Sequence, residues 1–127
     1  MNERDKNILL KIESEAGLLL GLTDGYDLQG FLDSEVLQRA VCMTLINIGE
    51  SVKLITEEVK RQNPSISWRA IAGLRDVVAH GYYSLRMEDI WETVTKELSP
   101  FLTQIGEILQ REEKTDSNDI HINCHHV

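Results

Sequence analysis

A chain of 127 residues suits one domain and is large enough to bury a core without disulfide or metal staples. Hydrophobic residues make up 42%, which excludes a disordered chain, and 2 Pro with 8 Gly favour long uninterrupted helices. A net charge of −8 excludes a surface that coats nucleic acid at large, so any contact with RNA must be local.

The first expected helix covers Glu3 to Leu20, because Ile8, Leu9, Ile12, Ala16, Leu19 and Leu20 recur at helical spacing. "TDGYDLQG" then reads as a connecting loop, rich in Gly and Asp. A long second helix runs from about Ser34 to Gln62, with Asp33 or Ser34 as its cap. Its stripe is Leu37, Val41, Leu45, Ile48, Val52, Ile55 and Val59, and "NPS" at 63–65 ends it. The third helix starts at the N-cap Ser67, carries Trp68, Ile71, Leu74 and Val78, and stops at Gly81 in a left-handed conformation. The fourth runs from Met87 to Glu112, with Pro100 inside it to kink or divide it. "KTDSNDIHINCHHV" has no periodicity. The expected organisation is a bundle domain over residues 1–113 and a flexible tail over 114–127. No strand alternation, internal repeat or low-complexity segment competes. The fold class is all-α, a helical bundle.

Cys42 and Cys124 lie far apart and outside any CxxC motif, which fits a reducing cytoplasm. The N-terminal segment lacks a basic lead and a long apolar run, so no signal peptide is expected. No stretch approaches the length of a membrane span.

The chemistry concentrates in "LRDVVAHGYY", Leu74 to Tyr83. Asp76 and His80 are four apart and share a helix face, so the carboxylate can hold one imidazole nitrogen and fix which nitrogen is free. Arg75 and His80 are five apart and diverge by roughly 140° on an ideal helix. One straight helix does not aim both at one small target. Either the helix ends at His80 and Gly81 and frees the last side chains, or two copies of the chain each lend part of the site, or both. A two-fold dimer is the commonest assembly and supplies two histidines, one to take a proton and one to give it.

These residues and their flanks resemble a known family. "LRDVVAHGYY" resembles the Arg-x4-His-x-Tyr motif of HEPN domains, specifically the HepT-like toxins of HepT–MntA pairs. "INIGESVKLI" resembles the long-helix segment before that motif, "NPSISWRAIAGLRD" its lead-in, and "MEDIWETV" the helix that follows. The resemblance covers roughly residues 36 to 109. It implies an antiparallel bundle of four to five helices that forms a homodimer. It implies a metal-independent endoribonuclease with its cleft between the subunits, needing no cofactor. Its implied partners are RNA, a second copy, and an MntA-like minimal nucleotidyltransferase antitoxin that transfers AMP to a tyrosine, with no role for DNA or a membrane. Carried over by position, Arg75 and His80 match the catalytic pair, Asp76 the polar residue after the arginine, and Tyr82 the modified tyrosine. The residue types suit the reaction. RNA supplies its own 2′-hydroxyl nucleophile, histidine can act as base or acid, and arginine presents a charged fork to phosphate oxygens. The alternative is a dimeric binding partner of the nucleotidyltransferase with weak or lost nuclease activity.

Asn47 and Glu50, three apart in the second helix, either face the cleft and position Arg75 or form an ordinary solvated edge. Lys53, Lys60, Arg61 and Arg69 either guide RNA or form a solvated face. Trp68 and Trp91 stand at core spacing, and Met43 and Met87 read as packing. His121, Cys124, His125 and His126 are ligand-type residues, but one short cluster makes a poor zinc site. No phosphate-cradling Gly-Lys loop is present.

Overall fold

Asn2 opens the first helix, α1 (Glu3–Thr23), by accepting a hydrogen bond from the Asp5 N–H at 2.6 Å. The computed structural model describes the backbone of residues 1–125 and the side chains of residues 1–114. Leu9, Ile12, Ala16 and Leu19 of α1 are fully buried, as their spacing predicts. Beyond α1, Gly25 at φ +81° turns the chain in the left-handed region that favours glycine. The expected loop then proves partly helical. Asp27 caps the Gly30 N–H at 2.8 Å and starts α2 (Leu28–Asp33), which buries Phe31.

Ser34 caps α3 (Glu35–Lys53) through the Leu37 N–H. The expected single helix to Gln62 is broken here, although its stripe is buried along the whole length, Ile55 and Val59 included. The cause is a distant side chain. Asp5 is 1% exposed, and its carboxylate accepts from the Thr56 N–H at 3.1 Å and the Thr56 hydroxyl at 2.7 Å. Thr56 therefore gives its N–H to Asp5 rather than to a preceding turn. Leu54 and Ile55 close α3 with short i→i−3 bonds. The chain restarts as α4 (Glu57–Gln62).

The loop after α4 is tied down by the Trp68 indole N–H, which donates to the Asn63 carbonyl at 3.0 Å. The helix α5 (Trp68–Gly81) follows, but Ser67 makes no side-chain cap bond. Gly81 does not adopt the expected left-handed conformation; its φ is −122°. The chain keeps its right-handed turn through a 3-10 segment, Tyr82–Ser84, closed by the Leu85 N–H on the Tyr82 carbonyl, so no left-handed residue is required. The last expected helix divides at Glu97 into α6 (Met87–Lys96) and α7 (Leu98–His125). Pro100 lies in the first turn of α7, where a missing N–H costs nothing.

The described residues thus form seven α-helices, five of them of ten residues or more, in an all-α bundle. The helix α3 packs against α1, α2 and α5, and α7 against α1 and α6. Trp68 is core, and Trp91 is half-buried with its ring centroid 5.1 Å from that of Phe31. Met87 packs against the core, but Met43 does not: it is 58% exposed. Its direction on α3 is opposite to that of Val41 and Leu45. The side chains of His121, Cys124, His125 and His126 lie outside the described residues.

Candidate functional site at the α3–α5 crossing

The two helices meet where α3 offers no side chain. A Cβ placed on Gly49 would stand 2.6 Å from the Arg75 Cβ and 3.1 Å from its backbone nitrogen. Glycine at this point lets α5 approach closely enough for Arg75 to reach the polar edge of α3. Pairing of Gly49 with Arg75 and of Arg39 with Tyr82 shows that the helices run antiparallel.

Arg75 is two-thirds buried, and three side chains surround its guanidinium. Nε forms an ion pair with Glu50 of α3. Nη1 lies 3.2 Å from Asp76 Oδ1 and 3.5 Å from His80 Nε2. The arginine and histidine therefore converge within one chain, against the expectation from their spacing. Asp76 explains it. It points roughly 100° round from Arg75 and only about 40° from His80, and it draws the long guanidinium toward the imidazole. The hydrogen bond from Nη1 to Asp76 and the charge of Glu50 raise the Arg75 pKa, so the group is permanently charged.

Asp76 does not hold His80 as expected. Its Oδ1 is occupied by Lys53 Nζ at 2.8 Å and by Arg75 at 3.2 Å, two charged donors that take the place expected for the imidazole. Lys53 first, then Arg75, holds the Asp76 carboxyl below the usual range. Asn47 lies one turn before Glu50, half-buried, and its side chain makes no hydrogen bond among the described residues. Of the expected site residues, Arg75, His80, Asp76 and Glu50 are thus in contact, and Asn47 flanks them.

Tyr82 sits in the 3-10 turn just beyond. The Arg39 guanidinium lies 5.5 Å from its ring centroid, and Tyr83, 97% exposed, packs edge-on at 5.6 Å. Glu35 holds Arg39 through Nη2 at 2.8 Å and Nε at 3.2 Å. Sequence reasoning missed Arg39. The signal was present: it precedes Glu50 by 11 residues, three turns, and so shares its face.

The outer face of α3 that carries Arg39, Asn47 and Glu50 also exposes Val36 and Met43, and α5 exposes Val77 beside the Asp76–His80 strip. Cys42 lies on the other side, where burial pushes its thiol up to about 11. No cluster of three or more metal-ligating side chains occurs among the described residues, and none of their helices is long and apolar enough to cross a membrane.

The class is therefore an all-helical protein whose fixed guanidinium and exposed imidazole share one open face at a helix crossing, a pairing suited to a phosphodiester. Residues 12–108 match the family described as Ribonuclease HepT-like. The chain is 35% identical over 102 residues, 80% of its length, to "Putative RNase TTE0752" of Caldanaerobacter subterraneus subsp. tengcongensis, covering 91% of that protein. It is 31% identical to "Putative RNase MJ0127" of Methanocaldococcus jannaschii over 80% of this chain and 84% of the relative. With "Probable ribonuclease HepT" of Thermococcus cleftensis the identity is 32% over 77% of this chain and 89% of the relative. No solved structure matches it significantly. The chain belongs to the ribonuclease HepT-like family and is an enzyme of the ribonuclease class.

Proposed function

We propose that this chain is a metal-independent endoribonuclease toxin that cuts RNA with Arg75 and His80 in a cleft between two copies of itself. The observation that carries the reading is the contact of Arg75 Nη1 with His80 Nε2, 3.5 Å, on an open face. The 2′-hydroxyl attacks the adjacent phosphorus and its proton passes to one imidazole. The P–O5′ bond breaks, and the leaving oxygen takes a proton from the second imidazole. The products are a 2′,3′-cyclic phosphate and a 5′-hydroxyl. Arg75 stabilises the charge that grows on the phosphorane oxygens. Glu50 and Asp76 act as positioning residues by holding the guanidinium, and Asn47 flanks the cleft. The exposed apolar residues Val36, Met43 and Val77 beside the site support a two-fold interface there.

In the same reading a minimal nucleotidyltransferase antitoxin transfers AMP from ATP to the Tyr82 hydroxyl and releases pyrophosphate. The added phosphodiester competes with substrate for the local cations, including Arg39 over the Tyr82 ring. An RNA oligonucleotide with a single 2′-deoxy residue at the scissile position should resist cleavage there, and His80→Ala should abolish cutting. Cleavage of the deoxy position at the normal rate defeats the mechanism. Equal growth on induction of wild type and His80→Ala, at matched expression, favours the inactive binding partner instead. Tyr82→Phe should keep nuclease activity and escape the antitoxin.

A further inference from the structure

A cavity of about 810 Å³ opens between α4 and the first turns of α5. That volume falls in the range of roughly 300–1,000 Å³ typical of ligand sites. Three cations line it, Lys53, Lys60 and Arg69, against one carboxylate, Glu57, and its apolar wall includes Ile66 and Trp68. A net of two positive charges here stands out on a chain of net charge −8. Sequence alone left four cations undecided between RNA guidance and a solvated face. The fold gathers three of them round one hollow and leaves Arg61 outside.

The cations are only partly engaged internally. Arg69 makes no ion pair among the described residues, and Lys60 stands 3.7 Å from a largely exposed Glu57. Lys53 faces both ways: it lines the cavity and also bonds Asp76, which holds Arg75. Lys53 thus links the rim of the cavity to the carboxylate that holds Arg75. On α5, Arg69, Ala72, Asp76 and His80 follow at steps of three and four and form one strip. Arg69 and Asp76 are seven residues apart, about 10 Å along the axis. That is the rise of about three stacked nucleotides of one strand.

We propose that this cavity is a second RNA subsite, which binds one nucleotide of a single strand a short distance from the scissile bond. Lys60 and Arg69 hold the two phosphates that flank it, one each, and the apolar wall takes the base or ribose. An extruded nucleotide fits such a hollow, whereas a duplex does not present one. The inference rests on the ribonuclease reading for the identity of the ligand, but its test does not depend on cleavage.

The probe is a fluorescein-labelled, uniformly 2′-O-methylated RNA 12-mer, whose blocked 2′-oxygen cannot act as nucleophile. Binding anisotropy is measured across a salt series for wild type, for Lys60→Gln/Arg69→Gln, and for Lys11→Gln/Lys114→Gln on α1 and α7. The two double variants lose the same charge. Each lost phosphate contact lowers the slope of log affinity on log salt by about 0.7 for a single strand, so the cavity variant should lose about 1.4. At 0.1 M salt that is about 25-fold weaker binding. The control should keep the wild-type slope. Arg69→Gln alone, on an exposed side chain, should lose about half the slope change and covers the case of a poorly folding double variant. No slope change in the cavity variants, or an equal change in the control, overturns the subsite. Cutting of the all-ribose 12-mer is scored separately. A wild type that fails to cut it while the cavity variants still lose slope defeats the nuclease reading and leaves the RNA subsite standing.

Discussion

Gly49→Ala sets two physical effects of opposite sign against each other. Within a helix, replacing glycine by alanine gains about 1 kcal/mol from backbone entropy. At this crossing the new methyl would stand 2.6 Å from the Arg75 Cβ. That is about 0.9 Å short of the roughly 3.5 Å at which carbon atoms pack. The obstacle is the root of a side chain and its backbone nitrogen, which cannot swing aside, so α3 and α5 must separate. Overpacking of this kind costs about 1–3 kcal/mol. The net expectation is a loss of about 1 kcal/mol, or a fall in Tm of about 3–6 °C for a domain of this size. A shift of about 1 Å of Arg75 away from Glu50, which holds its guanidinium from α3, should also slow RNA cleavage by about 100-fold. Thermal melting by circular dichroism and initial rates on a labelled RNA read the two effects. A variant that melts several degrees higher than wild type and cuts at the normal rate refutes the claim that glycine is needed for this approach.

Three further outcomes are expected. Asp76→Asn should destabilise the protein at neutral pH. Asp76 has a lowered native pKa, so its pairs with Lys53 and Arg75 contribute fully above the ordinary carboxylate range and are lost as pH falls through the native value. The stability gap between wild type and variant, read by urea titration, should close in acid, and a gap that widens there is inconsistent with the pairing. Cys42, with its thiol near 11, should resist a thiol reagent at pH 8 in a Cys124→Ser background and react on unfolding; rapid native reaction contradicts its burial. Met43→Glu on the exposed face of α3 should convert the proposed dimer to monomer in analytical ultracentrifugation and slow cleavage, with little change in monomer fold; a variant that sediments as wild type refutes an interface on this face.

The core was readable because α1 and α3 follow a simple 3.6-residue period, and Leu9, Ile12, Val41, Leu45 and Ile48 are buried where that period puts them. The break near Thr56 was not, because it is made by Asp5, 51 residues away, while the local apolar stripe runs on. That Arg75, Asp76 and His80 fall close together was legible from their pattern, whereas the wiring between them was not. Directions on an ideal helix set Arg75 and His80 apart, and only the combined pull of Asp76 and Glu50 on a long side chain brings them together. The expected Asp76–His80 bond failed because Lys53, on another helix, claims the same oxygen. Met43 was misread because its residue type suggested packing while its angle on α3 pointed outward.

Asp5 ties the opening turn of the chain to the joint at which α4 departs from α3, and the Met1 ammonium lies 3.7 Å from Glu112 of α7. What is fused to or clipped from the first handful of residues is therefore not remote from the working parts. Loosening that knot frees the short helix that bears Lys60, one wall of the cationic hollow. An affinity handle is better hung elsewhere, and loss of Asp5 is expected to loosen the wall that carries Lys60.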